Sequence, residues 1–237
     1  MLLCAQFYQQ SIPGPVIKTQ PSAADTAALS QPVLQAENLS CIRQDRVLFS
    51  GLSLKLNAGQ LLQILGKNGA GKSSLLRILA GLAAPDDGQL YYQAKPLAQS
   101  LPAYCSNLCY IGHQSGVHEQ LTALENLRFW RAASSLQAGD DWALLAQLGL
   151  AGLEDVPCRM LSAGQQRRVS LARLWLTPAR IWILDEPFTA LDQSAIGLLQ
   201  QHLLDHLNRG GAIILTTHQS LTLQFQSLVQ LELAYRW

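Results

Sequence analysis

Short apolar runs bounded by turn residues alternate along the chain with stretches that carry apolar residues at helical spacing. Such runs are typical of strands buried on both faces of a sheet. Three runs are clear: QLLQILG at 60–66, IWIL at 181–184 and AIILTTH at 212–218. The stretches SSLLRILAGL at 73–82 and 194–208 predict helices. Strands that alternate with helices predict an α/β fold with a mostly parallel sheet.

The first part of the chain lacks this alternation. Residues 1–32 mix Pro, Ser, Ala, Thr and Gln without periodicity, which predicts a flexible extension. The pattern begins at Val33, where LQAENLSCIR and RVLFSGLSLKLNAG predict two strands, the second ending in turn residues at 57–59. We therefore expect one domain over residues 33–237.

The span from about residue 85 to 160 is the candidate helical subdomain. It holds a strand-like segment at 109–113 and two helical patterns, LENLRFWRAA and DDWALLAQLGL. Thr122 stands three residues before Glu125, which is the spacing of a capping box at a helix N-terminus. We expect these helices to form an insertion in the α/β core.

Composition excludes several classes of protein. The chain has 237 residues, of which 49% are hydrophobic and 14% charged, so it has the material for a sizeable core. A net charge of +1 without a long basic run argues against nucleic-acid binding.

No stretch approaches the ~18 apolar residues of a membrane-spanning helix. Five scattered cysteines indicate reduced thiols of a cytosolic protein, so any link to a membrane must come through a partner.

The most informative segment is GKNGAGKS at 66–73, which fits the P-loop pattern G-x-x-x-x-G-K-[ST]. Glycine lets backbone N–H groups turn toward phosphate oxygens, and the following helix adds its positive dipole end. Lys72 is expected to reach the β- and γ-phosphates of ATP, and the Ser73 hydroxyl to ligate Mg²⁺. The predicted ATP contacts are Gly66, Lys67, Asn68, Gly69, Ala70, Gly71, Lys72, Ser73 and Ser74.

A second candidate group ends the apolar strand at 181–184, in the segment IWILDEP. Asp185 and Glu186 fall at the carboxyl edge of the sheet, where α/β proteins bind ligands. Asp185 is expected to hold Mg²⁺, directly or through water, and Glu186 to act as general base on the attacking water. A buried strand that ends in acidic residues is common, but together with a P-loop it predicts a nucleotide site.

Six motifs, in this order, resemble those of ABC-transporter ATPases. Besides the P-loop and the acidic strand end, LSAGQQRRVSLARLW at 161–175 resembles the signature motif and TALD at 189–192 the D-loop. Gln114 resembles the Q-loop glutamine and His218 the switch histidine. The resemblance implies a P-loop NTPase core, an N-terminal antiparallel β subdomain and an inserted helical subdomain.

The resemblance also implies a mechanism shared between two chains. In this family two ATPase subunits face head to tail, and each ATP lies between one subunit's P-loop and the other's signature. The residues that would act across this interface are Ser162, Ala163, Gly164, Gln165 and Asp192. Gln114 would contact Mg²⁺ and the attacking water, and His218 would contact the γ-phosphate.

Two positions depart from the family pattern. Ala163 stands where the signature usually has glycine, a small change that should leave Ser162 in place. The aromatic residue that stacks on adenine in the family falls near Arg43 in this sequence. A guanidinium can stack on a base, so the resemblance, rather than this residue, carries the preference for adenine.

The residues around the motifs narrow the resemblance. GHQ, LTALENLRFW, WILDEPFTALD and ILTTHQ are similar to the ATPase subunit of the haem exporter in cytochrome c maturation. This resemblance implies that ATP hydrolysis drives release of a haem-bound carrier, through integral membrane permease subunits of cytochrome c maturation. It also implies a peripheral location on the cytoplasmic face of a bacterial inner membrane.

Three alternatives stay open. The first is an ABC ATPase that serves another substrate, such as an importer, although many importer ATPases carry an additional C-terminal regulatory domain. The second is a DNA-maintenance ATPase; those proteins insert a long coiled coil, whereas only 90 residues separate Lys72 from Ser162. The third is a non-catalytic module with a degenerate site, against which stand Lys72, Asp185, Glu186 and His218.

A pair of histidines is a further candidate for chemistry. His202 and His206 lie four residues apart in the helical segment 194–208 and could supply half of a metal site. No third ligand is near them in sequence, so we expect a solvated helix face.

Overall fold

The computed structural model describes residues 16–19, 31–134, 139–219, 221, 225 and 227–235. The strands of this part are β1 (Val16–Thr19), β2 (Leu34–Arg43), β3 (Arg46–Leu56), β4 (Leu61–Leu65), β5 (Asp87–Tyr92), β6 (Lys95–Pro96), β7 (Leu108–Ile111), β8 (Ile181–Asp185), β9 (Ala212–Thr216) and β10 (Leu228–Glu232). The helices are α1 (Lys72–Leu79), α2 (Leu97–Ser106), α3 (Ala123–Ala133), α4 (Asp141–Gln147), α5 (Ala163–Leu171), α6 (Arg173–Leu176) and α7 (Gln193–Asn208), with a 3₁₀ turn at Cys158–Met160.

A six-stranded sheet with the order β1-β10-β4-β9-β8-β7 forms the centre of the fold. All neighbours in it are parallel except β1, which runs antiparallel to β10. Every residue of β8 and β9 is buried, because helices or the second sheet cover both faces. This arrangement confirms the mostly parallel sheet predicted from the continuous apolar runs.

A smaller antiparallel sheet with the order β3-β2-β5-β6 lies beside the first. Its strands alternate buried and exposed residues more than the parallel strands do, as expected for a sheet with one solvated face. One core joins its buried residues to α1, α2 and one side of the large sheet, and a second core packs α7 against the other side. No helix in the described ranges is long and apolar enough to span a membrane.

The helical subdomain begins later than the sequence predicts. A third core unites α3, α4, the 3₁₀ turn, α5 and α6, from Ala123 to Leu176. The expected start near residue 85 is wrong because β5 pairs with β2 and β7 pairs with β8. The sequence of β5 is DGQLYY, in which Leu90 is the one aliphatic residue. The strand therefore shows little of the alternation that would identify it in the sequence. The capping box of Thr122 and Glu125 at the start of α3 is confirmed.

The predicted flexible extension is also wrong at one place. Val16–Thr19 form β1, an edge strand whose partners in β10 run from Val16 opposite Glu232 to Thr19 opposite Val229. Such a short edge strand is stabilised by hydrogen bonds to its neighbour, and four residues are too few to show a period. The rest of the predicted extension, residues 1–15 and 20–30, lies outside the described residues.

The histidines of α7 are packed rather than solvated. The ring of His202 stacks on Trp175 with centroids 3.8 Å apart, and that of His206 stacks on Trp182 at 3.6 Å. Each Nε2 also lies within 3.3 Å of a backbone carbonyl oxygen. Burial lowers the pKa of both histidines, that of His206 to about 4, so both are neutral near pH 7.

Candidate active site

A cavity of about 730 Å³ opens at the carboxyl ends of β4, β8 and β9. The P-loop and the start of α1 line one side of it, and the ends of β8 and β9 line another. A third wall comes from the antiparallel sheet, through Arg43 and Leu48. Its volume lies in the range of small-molecule sites, and its position is that of ligand sites in open α/β sheets.

The P-loop depends on glycine at two of its positions. Gly66 has φ of 146°, and a Cβ there would lie 2.8 Å from the carbonyl oxygen of Leu233. Gly71 has φ of 96° at the N-cap of α1, where a Cβ would lie 3.0 Å from that of Leu48. A side chain at either position would strain the backbone and push the loop away from its neighbours. The loop therefore keeps its backbone close to β10 and β3.

Lys72 begins α1 with its ammonium turned back over the P-loop. Its Nζ donates to the carbonyl oxygen of Gly66 at 2.7 Å and lies 3.4 Å from that of Lys67. Ser73 and Ser74 follow it on the first turn of α1 and line the same cavity. A lysine, two serines and a helix N-terminus thus line the same side of the cavity, which is the chemistry that binds a polyphosphate.

The acidic pair is positioned by β9. Asp185, the last residue of β8, is almost fully buried, and its Oδ1 accepts a hydrogen bond from Thr216 Oγ1 at 2.7 Å. The same hydroxyl accepts the backbone N–H of Glu186 at 3.0 Å. Glu186 has φ of 48°, an uncommon conformation that turns the chain sharply at the end of the strand. Both carboxylates consequently line the cavity.

His218 connects three parts of the site. Its Nε2 lies 3.2 Å from Oδ1 of Asn68, 3.4 Å from Nζ of Lys72 and 3.5 Å from Oε1 of Glu186. Its backbone N–H donates to the other carboxylate oxygen of Glu186 at 3.3 Å. The P-loop and the ends of β8 and β9 therefore meet at one imidazole.

The signature residues are not in this cavity. Ser162 caps α5 through a reciprocal capping box with Gln165, and Ser162 and Ala163 are exposed. A Cβ on Gly164 would lie 2.5 Å from the carbonyl oxygen of Ala190, so the signature approaches the segment 189–192 of the same chain. Since the start of α5 is exposed, it is open to a second molecule.

Asp192 and Gln114 also lie outside the cavity lining. Asp192 caps α7, and its carboxylate accepts from Arg168 at 2.5 Å. Hydrogen bonds from the first turn of α7 lower its pKa most, with Arg168 adding to the effect. Gln114 is exposed in the segment after β7, where its neighbour His113 lines the cavity.

Two residues that hold the acidic pair in place were not predicted from the sequence. Thr216 holds both acidic residues, as described above, and only its place at a strand end could have indicated this. Arg167 is buried, and its guanidinium donates to the carbonyl oxygens of Gly112, Asp185 and Glu186 at 2.8 to 3.0 Å. Burial lowers its pKa, and the carboxylates of Asp185 and Glu186 oppose that shift. Arg167 thus fixes the end of β8 relative to α5 and β7.

Comparison with known families decides what this arrangement is. Residues 49–189 match the family model described as ABC transporter. The chain belongs to the ABC transporter family. It carries the ATP-binding part of such a transporter and is an ABC-type ATPase, because the matched segment includes the P-loop, the signature and the acidic strand end.

Curated relatives narrow the place of the chain within the ABC transporter family. The chain is 54% identical over 210 residues to the Cytochrome c biogenesis ATP-binding export protein CcmA of Idiomarina loihiensis. The alignment covers 89% of this chain and 96% of that protein. It is also 54% identical over 193 residues to the protein of the same name from Escherichia coli K12, covering 80% and 90%. Both alignments extend over most of each protein.

Solved structures of ABC transporter subunits share the fold. The structure described as the ATP binding subunit of an ABC transporter matches with a TM-score of 0.70 and 26% identity, covering 78% of this chain and 79% of that one. The dimeric structure of MJ0796, a bacterial ABC transporter cassette, matches with a TM-score of 0.72 and 21% identity, covering 86% and 97%. These matches confirm the P-loop core with its antiparallel and helical subdomains.

Proposed function

We propose that this chain powers an export step of cytochrome c biogenesis by hydrolysing ATP, and that the step releases a haem-bound carrier. The observation that carries the proposal is the 54% identity to two proteins named for ATP-dependent export in cytochrome c biogenesis, over nearly their full length. The part of the proposal that concerns a haem-bound carrier is supported by the segments around the motifs, which resemble the ATPase subunit of the haem exporter.

In this proposal the phosphates of ATP bind at the P-loop, in contact with residues 66–74. The ammonium of Lys72 offsets negative charge that develops on the transferred phosphoryl group, and backbone N–H groups of the loop orient it. His218 contacts the γ-phosphate, which its distances of 3.2 to 3.5 Å from Asn68, Lys72 and Glu186 support.

The same cavity suits Mg²⁺. The Ser73 hydroxyl and the Asp185 carboxylate both line it, and hard oxygen donors of this kind are what Mg²⁺ prefers. Mg²⁺ bound there would neutralise charge on the β- and γ-phosphate oxygens. Gln114 would complete the predicted ligand set only after a movement of the segment behind β7, since it does not line the cavity here.

Glu186 is the proposed general base. Its backbone N–H donates to Thr216, and its carboxylate accepts the backbone N–H of His218. These bonds can hold a carboxylate oxygen of Glu186 in position to accept a proton from the attacking water. Arg167 fixes the backbone at this point by donating hydrogen bonds to the carbonyl oxygens of Asp185 and Glu186. The proton taken from water would reside on the Glu186 carboxylate until the products leave.

The proposal places two chains head to tail, so that residues 162–165 and Asp192 of each complete the other's site. The exposed N-terminus of α5 supports a role in binding the γ-phosphate of the partner's ATP. Membrane permease subunits of cytochrome c maturation would receive the resulting motion, on the cytoplasmic face of the inner membrane. A transporter for another substrate is the alternative.

The deciding experiment is a haem-stained gel of membranes from cells that lack this protein and carry a plasmid copy. We expect the wild-type copy to restore covalently haem-bound cytochromes and Lys72→Ala to restore none, because ATP turnover is lost. Lys55→Ala, a change at an exposed lysine of β3, is the matched control and should restore them fully. If the cytochromes persist in the deletion, the ATPase serves another substrate.

A further inference from the structure

The helix α5 joins the helical subdomain to the edge of the nucleotide cavity. Val169 on this helix and Ala172 at its C-terminal end are fully buried in the core of the helical subdomain. Arg167 lies on the same helix, and its guanidinium bonds to the backbone at the carboxyl ends of β7 and β8. An α-helix is hydrogen-bonded from turn to turn, so α5 moves as one body. A displacement of its exposed N-terminus therefore reaches Arg167.

Both backbone polar groups of Glu186 are held by side chains of other elements. Its N–H donates to Thr216 Oγ1 on β9 at 3.0 Å, and its carbonyl oxygen accepts from Arg167 Nη2 at 2.9 Å. Glu186 has φ of 48°, a conformation that costs free energy for a residue with a side chain and persists where the surroundings fix it. Because both peptide groups are held, the direction in which the Glu186 side chain leaves the backbone is fixed as well.

Arg167 can hold this point because it binds three carbonyl groups at once. Its Nη2 donates to the carbonyl oxygens of Asp185 at 2.8 Å and Glu186 at 2.9 Å, and its Nη1 donates to that of Gly112 at 3.0 Å. A guanidinium is planar and presents its N–H donors in fixed directions. The side chain is 7% exposed, so little water competes for these bonds. A shift of α5 must therefore change the bonds at the end of β8.

A second side chain of α5 bonds to the segment that follows β7. Ser170 Oγ donates to the carbonyl oxygen of Ser115, whereas Arg167 donates to that of Gly112. The helix is thus bonded to the backbone on both sides of Gln114. One helix consequently contacts both segments that carry proposed catalytic residues at this edge of the sheet.

We propose that Arg167 is a positioning residue that couples Glu186 to the N-terminus of α5, so that contact of α5 with the ATP of a second chain sets the base of its own site. This coupling rests on the proposed function, in which Glu186 is the general base and Ser162 contacts the partner's ATP. Each chain then offers α5 to one ATP and Glu186 to the other. Arg167 does not line the cavity, so its loss should slow hydrolysis and leave nucleotide binding intact.

The first test separates hydrolysis from binding, in ATPase assays of the full chain with its membrane partner. Arg167→Met keeps the apolar stem but removes the donors, so kcat should fall about ten- to a hundred-fold, as expected for a misplaced catalytic group, with KM within about two-fold. Arg167→Gln keeps two N–H donors without the charge and should recover kcat to within about five-fold of the wild type. Arg209→Met, at an exposed arginine after α7, is the matched control and should hydrolyse ATP at the wild-type rate.

Calorimetric titration checks that the variant keeps its nucleotide site. With Mg²⁺, the Kd of Arg167→Met for the non-hydrolysable β,γ-imido analogue of ATP should stay within about two-fold of the wild-type value, because the phosphate contacts remain. Loss of analogue binding would show that Arg167 maintains the structure of the site, and the coupling proposal would be wrong. A kcat that stays low in Arg167→Gln would show that the charge acts and not the hydrogen bonds, which also overturns it.

The second test asks whether Arg167 acts through Glu186. In single-turnover assays, Arg167→Met should slow hydrolysis no further in a Glu186→Gln background, because the base that Arg167 positions is already absent. The same fold-loss in both backgrounds would mean that Arg167 acts on another part of the site, which contradicts its proposed role. If Glu186→Gln alone hydrolyses ATP normally, the proposed function fails instead, since Glu186 is then not the base.

The third test measures communication between the two sites of a dimer. The wild-type ATPase rate should rise with ATP concentration along a sigmoidal curve, because ATP at one site sets the base of the other. Arg167→Met should give a hyperbolic curve, since Glu186 no longer follows α5, whereas Arg209→Met should keep the sigmoidal one. A hyperbolic wild-type curve, or a sigmoidal curve that Arg167→Met leaves unchanged, would overturn the coupling through Arg167.

Discussion

At the scale of single residues, the geometry of Glu186 makes a sharp prediction. Glu186→Gln removes the proton acceptor but preserves the size of the side chain and the backbone bond to Thr216. We expect ATP binding to persist and hydrolysis to fall at least about 100-fold, which is the usual contribution of a general base. Phosphate release by the variant together with its membrane partner measures the rate, and gel filtration should show an ATP-bound dimer.

The matched control for this variant is Glu37→Gln, at an exposed glutamate of β2, which should hydrolyse ATP at the wild-type rate. Near-normal turnover in Glu186→Gln would mean that another group takes the proton. Loss of ATP binding would instead mean that the glutamate serves the structure of the site.

The position of a residue at the cavity was predictable where the motif is continuous in the sequence. Residues 66–73 and the pair Asp185–Glu186 each form a continuous segment, so their types and spacing were enough to place them at the same edge of the sheet. Arg167 was not predictable, because its three acceptors are backbone oxygens that lie up to 55 residues away. Every residue has a backbone carbonyl group, so the sequence does not indicate which of these groups an arginine will contact.

At the scale of elements, the rings that lock α7 onto β8 and α6 make stability depend on pH. The pKa of His206 is lowered in the folded state, to about 4, because burial disfavours its charged form, with Arg209 and His202 adding to the effect. In the unfolded chain it returns to about 6.5. As the pH falls from about 6.5 to 4, the unfolded state binds a proton that the folded state refuses, so the free energy of unfolding decreases.

We therefore expect a His206→Gln variant to lose less stability on acidification than the wild type. Glutamine can still donate to the carbonyl oxygen of Arg180 but does not titrate. Urea unfolding gives the free energy of unfolding of each protein at pH 7.5 and at pH 5. The excess stability of the wild type over the variant should be smaller at pH 5 than at pH 7.5. If that excess is the same at both pH values, His206 is protonated in the folded state as readily as in the unfolded state.

Elements with a clear period were predicted, and those without one were not. The apolar runs of β4, β8 and β9 and the helical spacing of α1 and α7 agreed with the structure to within a few residues. The helix α2 was missed, since it contains Pro102, a residue that usually interrupts helices. The polarity of the two histidines on α7 indicates solvent, whereas stacking on Trp182 buries His206 and stacking on Trp175 leaves His202 half-buried.

At the scale of the whole molecule, the proposed function needs two chains, because the signature and the P-loop of one chain lie apart. The cavity contains the P-loop and acidic pair, while the exposed Ser162 caps a helix outside it. This separation follows from the fold, because α5 belongs to the helical subdomain and the P-loop to the sheet core. The order of motifs along the sequence indicated the family, but only the fold shows that signature and P-loop of one chain lie apart.

Mixing two defective variants tests whether the site forms between chains. Ser162→Asp keeps a good N-cap for α5 but sets a negative charge against the γ-phosphate of the other chain. Lys72→Ala disables the P-loop of its own chain. Each variant alone should be inactive, whereas a mixed dimer has one intact P-loop facing one intact signature. Random pairing makes half of the dimers mixed, so ATPase activity should recover to about a quarter of the wild-type value if sites act independently.

The assay measures ATPase activity of the mixture with the membrane partner, after the two chains have been denatured, mixed and refolded together. Activity in the mixture that stays at the sum of the two separate variants would contradict a shared site. An active Ser162→Asp protein on its own would also contradict it, because the signature would then not contact nucleotide. Recovery, by contrast, requires that the exposed N-terminus of α5 in one chain reaches the P-loop cavity of another, since no intact site exists within either variant alone.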